Sequence, residues 1–349
     1  MRSDSHCFDD HGRFRLGWKL PIVLGSALLS LLPFSGPLQG HPAGLGIFLA
    51  AAVLLWWGLA SLRASDDRGR LRNGWKVWGF IVLSGLLSAI TTVVLRKVFA
   101  ITKVGNVGQV AFGVAIGLAA SWICLRAERE SLASIGFVPD RRWARELGFG
   151  VAGGAGIMLL TALLTMGLGG FHWIRGTATL GVAAWGFLLY VLVAFNEETL
   201  FRGYLFQRLI RGLGEWPTQL LMAGLFAFAH WGNPGMHGAT KAWATLNIAL
   251  AAVLLGLCYL RTKSLALPIG VHLGWNWTQG NLLGFGVSGT TDTPGLLQPV
   301  FHSRPDWLTG GAFGLEASLP CALVCGAVVL ALALWKPAPS AAPSIATEA

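Results

Sequence analysis

Long uncharged stretches alternate with short charged ones along most of this chain. Apolar runs fall at 20–36, 43–62, 77–95, 107–125, 147–170, 179–196, 216–232, 243–260, 265–285 and 319–335. A helix needs roughly 20 predominantly apolar residues to cross the hydrocarbon core of a bilayer. The pattern therefore predicts an all-α fold, a polytopic transmembrane helical bundle of about ten spans, with the seventh and last runs short. No small-residue cleavage site follows the first run, so it is expected to remain as a helix and not to be removed as a signal peptide.

Composition agrees with this. Hydrophobic residues make up 54% of the 349 and charged residues only 12%, against about a quarter charged in an ordinary soluble protein. The charges then orient the bundle. With a cytoplasmic N-terminus, the inside segments hold 20 Lys and Arg and the outside segments 6, which favours both termini inside. The outside segment 96–106, with three basic residues, is the exception. The net charge of +10 is explained by this loop bias, which attracts anionic lipid; it gives no reason to propose nucleic acid. The five cysteines show no framework spacing, and Cys124, Cys258, Cys321 and Cys325 lie in apolar runs, where Cys behaves as a small hydrophobe.

Four regions follow. Residues 1–146 form a four-span region and a charged cytoplasmic loop. Residues 147–285 form a core, of which 179–285 carry the polar groups of interest. Residues 286–335 are an outside loop rich in Gly and Pro followed by the last span. Residues 336–349 are Ala-, Pro- and Ser-rich and are expected to be a disordered cytoplasmic tail. Gly148, Gly150 and Gly153 match GxGxxG, but no strand precedes them and no acid follows about 20 residues on. With Gly154 and Gly156 they are better read as small residues that let helices approach closely.

The candidate chemistry sits in "AFNEETLFRGYLF", residues 194–206. Fourteen of the sixteen acids lie in loops, tails or span ends; Glu197 and Glu198 alone lie in a predominantly apolar setting. A charge at the centre of a span costs roughly 2.5–3.5 kcal/mol on insertion scales, and such residues usually face a bundle interior or a wet cavity. Adjacent helical residues point about 100° apart. Glu198 and Arg202, at i and i+4, share a face and can pair, which leaves Glu197 free for chemistry. A plainer reading is that both acids cap the inner end of the sixth span. Of eight histidines, only His230 and His272 fall inside apolar runs; Phe226 lies one turn before the first and Asn276 one turn after the second. Either histidine alone reads as a hydrogen-bonded core residue, and Asn276 alone as helix–helix glue. Together, a carboxylate and an imidazole can take a proton from water, and an imidazole with an amide can stabilise an oxyanion. No Ser or Cys has a nucleophile-elbow context, so attack by activated water is favoured over an acyl-enzyme.

These residues resemble the CAAX protease and bacteriocin-processing family of intramembrane proteases, whose EExxxR, FxxxH and HxxxN/D motifs lie on separate helices. Here they are Glu197-Glu198…Arg202, Phe226…His230 and His272…Asn276. The resemblance covers about 179–285. It implies an eight-helix-type core with the site inside the bilayer, open to the cytoplasmic side. It implies that Glu197 and His230 activate water, that His272 and Asn276 bind the oxyanion, and that Glu198, Arg202 and Phe226 support the site. The expected partners are the bilayer and a peptide or membrane-associated protein substrate, and the expected location is a bacterial inner membrane. No cofactor is required in this reading.

Three alternatives stand beside it. Glu197, His230 and His272 offer three zinc ligands with an open fourth position, although there is no HExxH and Asn276 is a poor zinc ligand. A proton-coupled transporter also uses intramembrane Glu and His, but no second copy of either motif block marks an internal repeat. A non-catalytic membrane scaffold, such as an immunity protein that sequesters a peptide, is the third. In this topology His230 lies at the outer end of its span and Glu197 near the inner end of its own. For them to meet, the sixth span must continue past Glu197 to around Leu209, or the seventh must be displaced.

Overall fold

The computed structural model describes residues 73–99, 101, 105–290 and 294–335. The predicted spans at 20–36 and 43–62 and the tail at 336–349 lie outside the described residues. Among the described residues nine α-helices of ten or more residues follow one another: α1 (Asn73–Lys97), α2 (Asn106–Ala127), α3 (Arg141–Gly167), α4 (Leu180–Arg202), α5 (Tyr204–Leu213), α6 (Glu215–Ala229), α7 (Gly238–Thr262), α8 (Ala266–Trp277) and α9 (Leu319–Leu334). The all-α expectation holds. The addition is one two-stranded antiparallel ribbon, β1 (Phe171–Arg175) against β2 (Leu297–Phe301), with Phe171 opposite Phe301.

Helix starts are set by side chains that accept the otherwise unpaired first-turn N–H groups. Asp140 caps α3 through Trp143, Thr179 caps α4 through Val182, and Ser318 caps α9 through Cys321. Arg261 closes the other end of α9, its guanidinium donating to the carbonyls of Leu332 and Ala333.

Five segments among the described residues are long and apolar enough to cross a membrane: α1, α2, α3, α7 and the continuous Leu180–Leu213. The runs expected to span at 216–232, 265–285 and 319–335 form helices of only 15, 12 and 16 residues. The last of these fills its run, and the other two stop short at an identifiable place. His230 terminates α6. After Trp277 the chain of α8 opens into one wide turn, Thr278–Leu282, closed by Leu283 N–H on the Thr278 carbonyl at 2.9 Å, a distortion that favours functional sites. The stretch 284–318 is not a free outside loop. It pairs through β2 with β1 and then folds back over the ends of α7 and α8, with Phe313, Leu315 and Ala317 fully buried.

Of the two arrangements the sequence left open, continuation of the sixth span past Glu197 is the one present. α4 runs past Glu197 to Arg202, breaks only at Gly203, and resumes as α5 to Leu213, with Tyr204 and Leu209 buried. α5 is anchored by charge. Lys76, Tyr204 and Arg208 converge on Glu128, while Arg208 and Arg211 hold Glu130 at 3.0 and 3.1 Å. Arg202 and Arg208, counted as loop cations in the orientation argument, are buried in ion pairs.

The glycine run does what small residues do between membrane helices, where lipid tails supply no hydrophobic driving force and close packing must. Gly150 and Gly154 of α3 lie against the backbone of Leu267, Gly270 and Val271, and Gly270 and Gly274 of α8 lie against Leu147 and Val151. A Cβ at Gly154 would coincide with the Val271 carbonyl. Gly148, Gly153 and Gly156 face open space. Two GxxxG edges thus lock α8 to α3, fixing the helix that carries His272 and Asn276.

Candidate active site

Each motif residue is positioned by an element whose reason for folding is now visible. Glu198 lies on the buried face of α4 with no exposure, and its Oε1 accepts from Arg202 Nη1 at 3.0 Å. The expected i, i+4 pair is present. Arg202 is enclosed between the rings of Phe201 and Phe226, 5.9 and 5.1 Å from their centroids, and its second nitrogen donates to the Ala252 carbonyl at 3.0 Å.

Glu198 also does something the sequence reading missed. The same Oε1 lies 2.8 Å from His272 Nδ1. A carboxylate already paired with Arg202 can only accept, so Nδ1 carries the proton and Nε2 is the free end of the ring. Glu198 is therefore not only the partner of Arg202; it sets the tautomer and angle of a candidate functional imidazole.

Glu197 is turned away from this pair, as the 100° argument requires. Its side chain is 27% exposed, and one carboxylate oxygen lies 3.8 Å from His272 Nε2. That oxygen is itself buried and has no hydrogen-bond partner among the described residues. His272 thus sits between the two glutamates, hydrogen-bonded to Glu198 at Nδ1 and facing Glu197 at Nε2. The Phe226 ring lies 4.8 Å from His230 and 6.4 Å from His272. His230 Nδ1 donates to the Phe226 carbonyl at 2.7 Å, because a carbonyl has no hydrogen to give. Its Nε2 is then the acceptor nitrogen.

His230, His272 and Asn276 line one cavity of about 490 Å³, counting its open mouth. Three side chains that the sequence reading did not single out complete its wall: Asn247, Ser288 and Glu316. Glu316 corrects the statement that only Glu197 and Glu198 occupy an apolar setting. It is 5% exposed, and burial pushes its carboxyl above the usual range despite hydrogen bonds from Ser288 and Trp275. A signal existed in "FGLEASLPCALV", where the acid is bracketed by Leu315 and Ala317 just before an apolar helix. Asn247, inside the apolar run 243–260, was equally visible as a polar group with no reason to be in lipid.

Among the described residues no three His, Cys, Asp or Glu side chains are grouped so as to hold a metal ion. Glu197 and His272 approach one another, while His230 Nδ1 is engaged by the Phe226 carbonyl. The residues do not fit the zinc set Glu197, His230, His272.

Residues 179–278 match the family described as type II CAAX prenyl endopeptidase Rce1-like. The resemblance drawn from the three motifs is thereby shown, over a segment that contains all of them. The match supports a CAAX-type intramembrane endopeptidase, and with the long apolar helices it makes the chain an integral membrane protein. No curated protein and no solved structure matches the chain.

Proposed function

We propose that the chain is an intramembrane endopeptidase that hydrolyses a peptide bond with water activated by Glu197 and His230. The observation that carries the reading is the double use of Glu198. One buried oxygen fixes Arg202 and His272 together, so that His272 Nε2 is presented between Glu197 and the cavity lined by His230 and Asn276.

In the reaction, the free oxygen of Glu197, with His230 Nε2, takes a proton from water as its oxygen attacks the carbonyl carbon. Negative charge gathers on the carbonyl oxygen, where the Asn276 amide donates to it together with Nε2–H of His272 in its doubly protonated form, whose Nδ1–H stays on Glu198. The tetrahedral intermediate collapses by breaking the C–N bond. The proton taken from water passes to the leaving nitrogen, giving a carboxylic acid and an amine. Glu198, Arg202 and Phe226 touch no substrate in this scheme; they hold the imidazoles in place. Donors fixed in a water-poor site are worth far more than in bulk water and need no reorganisation during reaction.

Access follows from combining two expectations with the cavity's location. Ser288 and Glu316 line it and belong to the segment that the loop charges assign to the outside. The cytoplasmic opening is accordingly assigned to the opposite side, past the partly exposed Glu197. The proposed setting is a bacterial inner membrane with both termini cytoplasmic.

The test is comparison of peptide termini in membrane fractions carrying wild type or Glu197→Ala. A terminus present only with wild type is expected; identical terminus sets would overturn the reading.

A further inference from the structure

Glu316 has an unusual balance of partners for a buried acid. Trp275 Nε1 donates to its Oε1 at 2.9 Å, and the Ser288 N–H and hydroxyl donate to its Oε2 at 2.6 and 2.9 Å. A carboxylate accepts about four hydrogen bonds, so one position on Oε1 is open. Among the described residues no Lys or Arg forms an ion pair with Glu316. Burying a carboxylate without a cation is costly.

Asn247, 1% exposed, lines the same cavity. Its amide nitrogen donates to the Ser318 carbonyl at 2.9 Å, which fixes the side chain, and its Oδ1 is buried with no partner. Buried polar atoms in folded proteins almost always have partners. Two acceptors, one of them a carboxyl with no Lys or Arg partner among the described residues, therefore share a cavity with His230, His272 and Asn276. No Lys or Arg lines that cavity; its own potential cations are the imidazoles, of which His230 acts on Glu316 electrostatically. A side-chain ammonium has three donors and a guanidinium five; either carries enough donors for both openings and a charge opposite to that of a carboxylate.

We propose that Glu316 and Asn247 form a specificity subsite that seats a lysine or arginine side chain of the peptide substrate while its backbone lies against His272 and Asn276. The subsite rests on the peptidase reading and adds to it a substrate class: peptides with a basic residue at one fixed position relative to the cut bond.

The experiment uses the full-length protein in detergent and a proteome-derived peptide library, with new termini read by mass spectrometry. Wild type is expected to show Lys or Arg enriched at a single position around its cut sites. Glu316→Gln, which keeps an acceptor for Trp275, is expected to go on cutting while that enrichment falls about tenfold or more, the scale of an unpaired buried charge. Glu316→Asp, which retains the charge, should restore most of it. A carboxylate serving only to tie the loop to α8 would change melting and overall rate without changing which residue is preferred. Should Glu316→Gln fail to fold, Asn247→Ala decides, with a smaller loss of the same preference expected. Wild-type-specific cuts without basic enrichment, or enrichment unchanged in the variants, overturn the subsite alone. Cuts that persist in Glu197→Ala overturn the peptidase reading and the subsite with it.

Discussion

The two adjacent glutamates should separate stability from catalysis. Glu198→Ala removes the carboxylate paired with Arg202, whose side chain is 1% exposed and among the described residues is left with the Ala252 carbonyl. Removing one partner of a buried pair costs about 3–5 kcal/mol, because the remaining charge stays buried. For a chain of this size class each kcal/mol shifts melting by roughly 2–4 °C, so a fall on the order of 10 °C is expected. Glu197→Ala removes a side chain that is 27% exposed and contacts one imidazole at 3.8 Å. Loose, partly exposed pairs contribute about 0–1 kcal/mol, so its melting should stay near that of wild type. Both variants should lose cleavage, Glu197→Ala through the missing base and Glu198→Ala through a misaligned His272. Glu198→Gln keeps an acceptor for Arg202 and His272 and should melt between the two. Thermal unfolding in detergent followed by tryptophan fluorescence, alongside terminus mapping, measures both quantities. If Glu198→Ala melts like wild type, or if Glu197→Ala melts far lower, the division of roles drawn from the geometry is refuted.

Four further outcomes are expected. Gly154→Ala sets a methyl group onto the Val271 carbonyl and should cost about 1–3 kcal/mol as overpacking while displacing α8 and lowering cleavage; Gly153→Ala, with open space beside it, should be neutral or slightly stabilising in melting. Burial pushes the Glu130 carboxyl up, but Arg211, Ser134 and Arg208 outweigh it and bring it down to about 2 from an ordinary 4.5. The stability this contributes is present above 4.5 and lost as pH falls toward 2; the carboxyl is 28% exposed, so about 1 kcal/mol is expected, and Glu130→Gln should flatten that part of a melting-versus-pH curve. In a cysteine-free background, a membrane-impermeant thiol reagent applied from outside should label His302→Cys and leave Arg142→Cys and Glu197→Cys unlabelled until the membrane is opened. Chelators should leave cleavage unchanged, since the zinc set does not assemble; loss on chelation with rescue by added zinc would contradict this.

What could be read from the sequence follows the range over which each physical signal acts. Helix positions were legible because lipid demands long apolar runs, and α1, α2, α3, α4 and α7 fall on them. Lengths were less legible. Residues 265–285, read as one apolar run, form a 12-residue helix buried against protein that continues directly into one wide turn.

The site divides in the same way. Glu198–Arg202 is a contact within one helix, and spacing alone gave it. The bond from Glu198 to His272 joins residues 74 apart in sequence, and no local pattern encodes which glutamate of the pair an imidazole from another helix will choose. That choice depends on α8 sitting within glycine distance of α3, and the glycines that permit it were visible while their partners were not. Glu316 was missed because a carboxylate in a Gly- and Pro-rich stretch is solvated by default. It becomes significant only when the stretch folds back over α7 and α8, bringing Ser288, Trp275 and Asn247 around it. A buried acid costs free energy wherever the chain places it, so the fold-back must supply donors for it. Those donors leave one position on Glu316 and the Oδ1 of Asn247 open, on the wall that His230, His272 and Asn276 share.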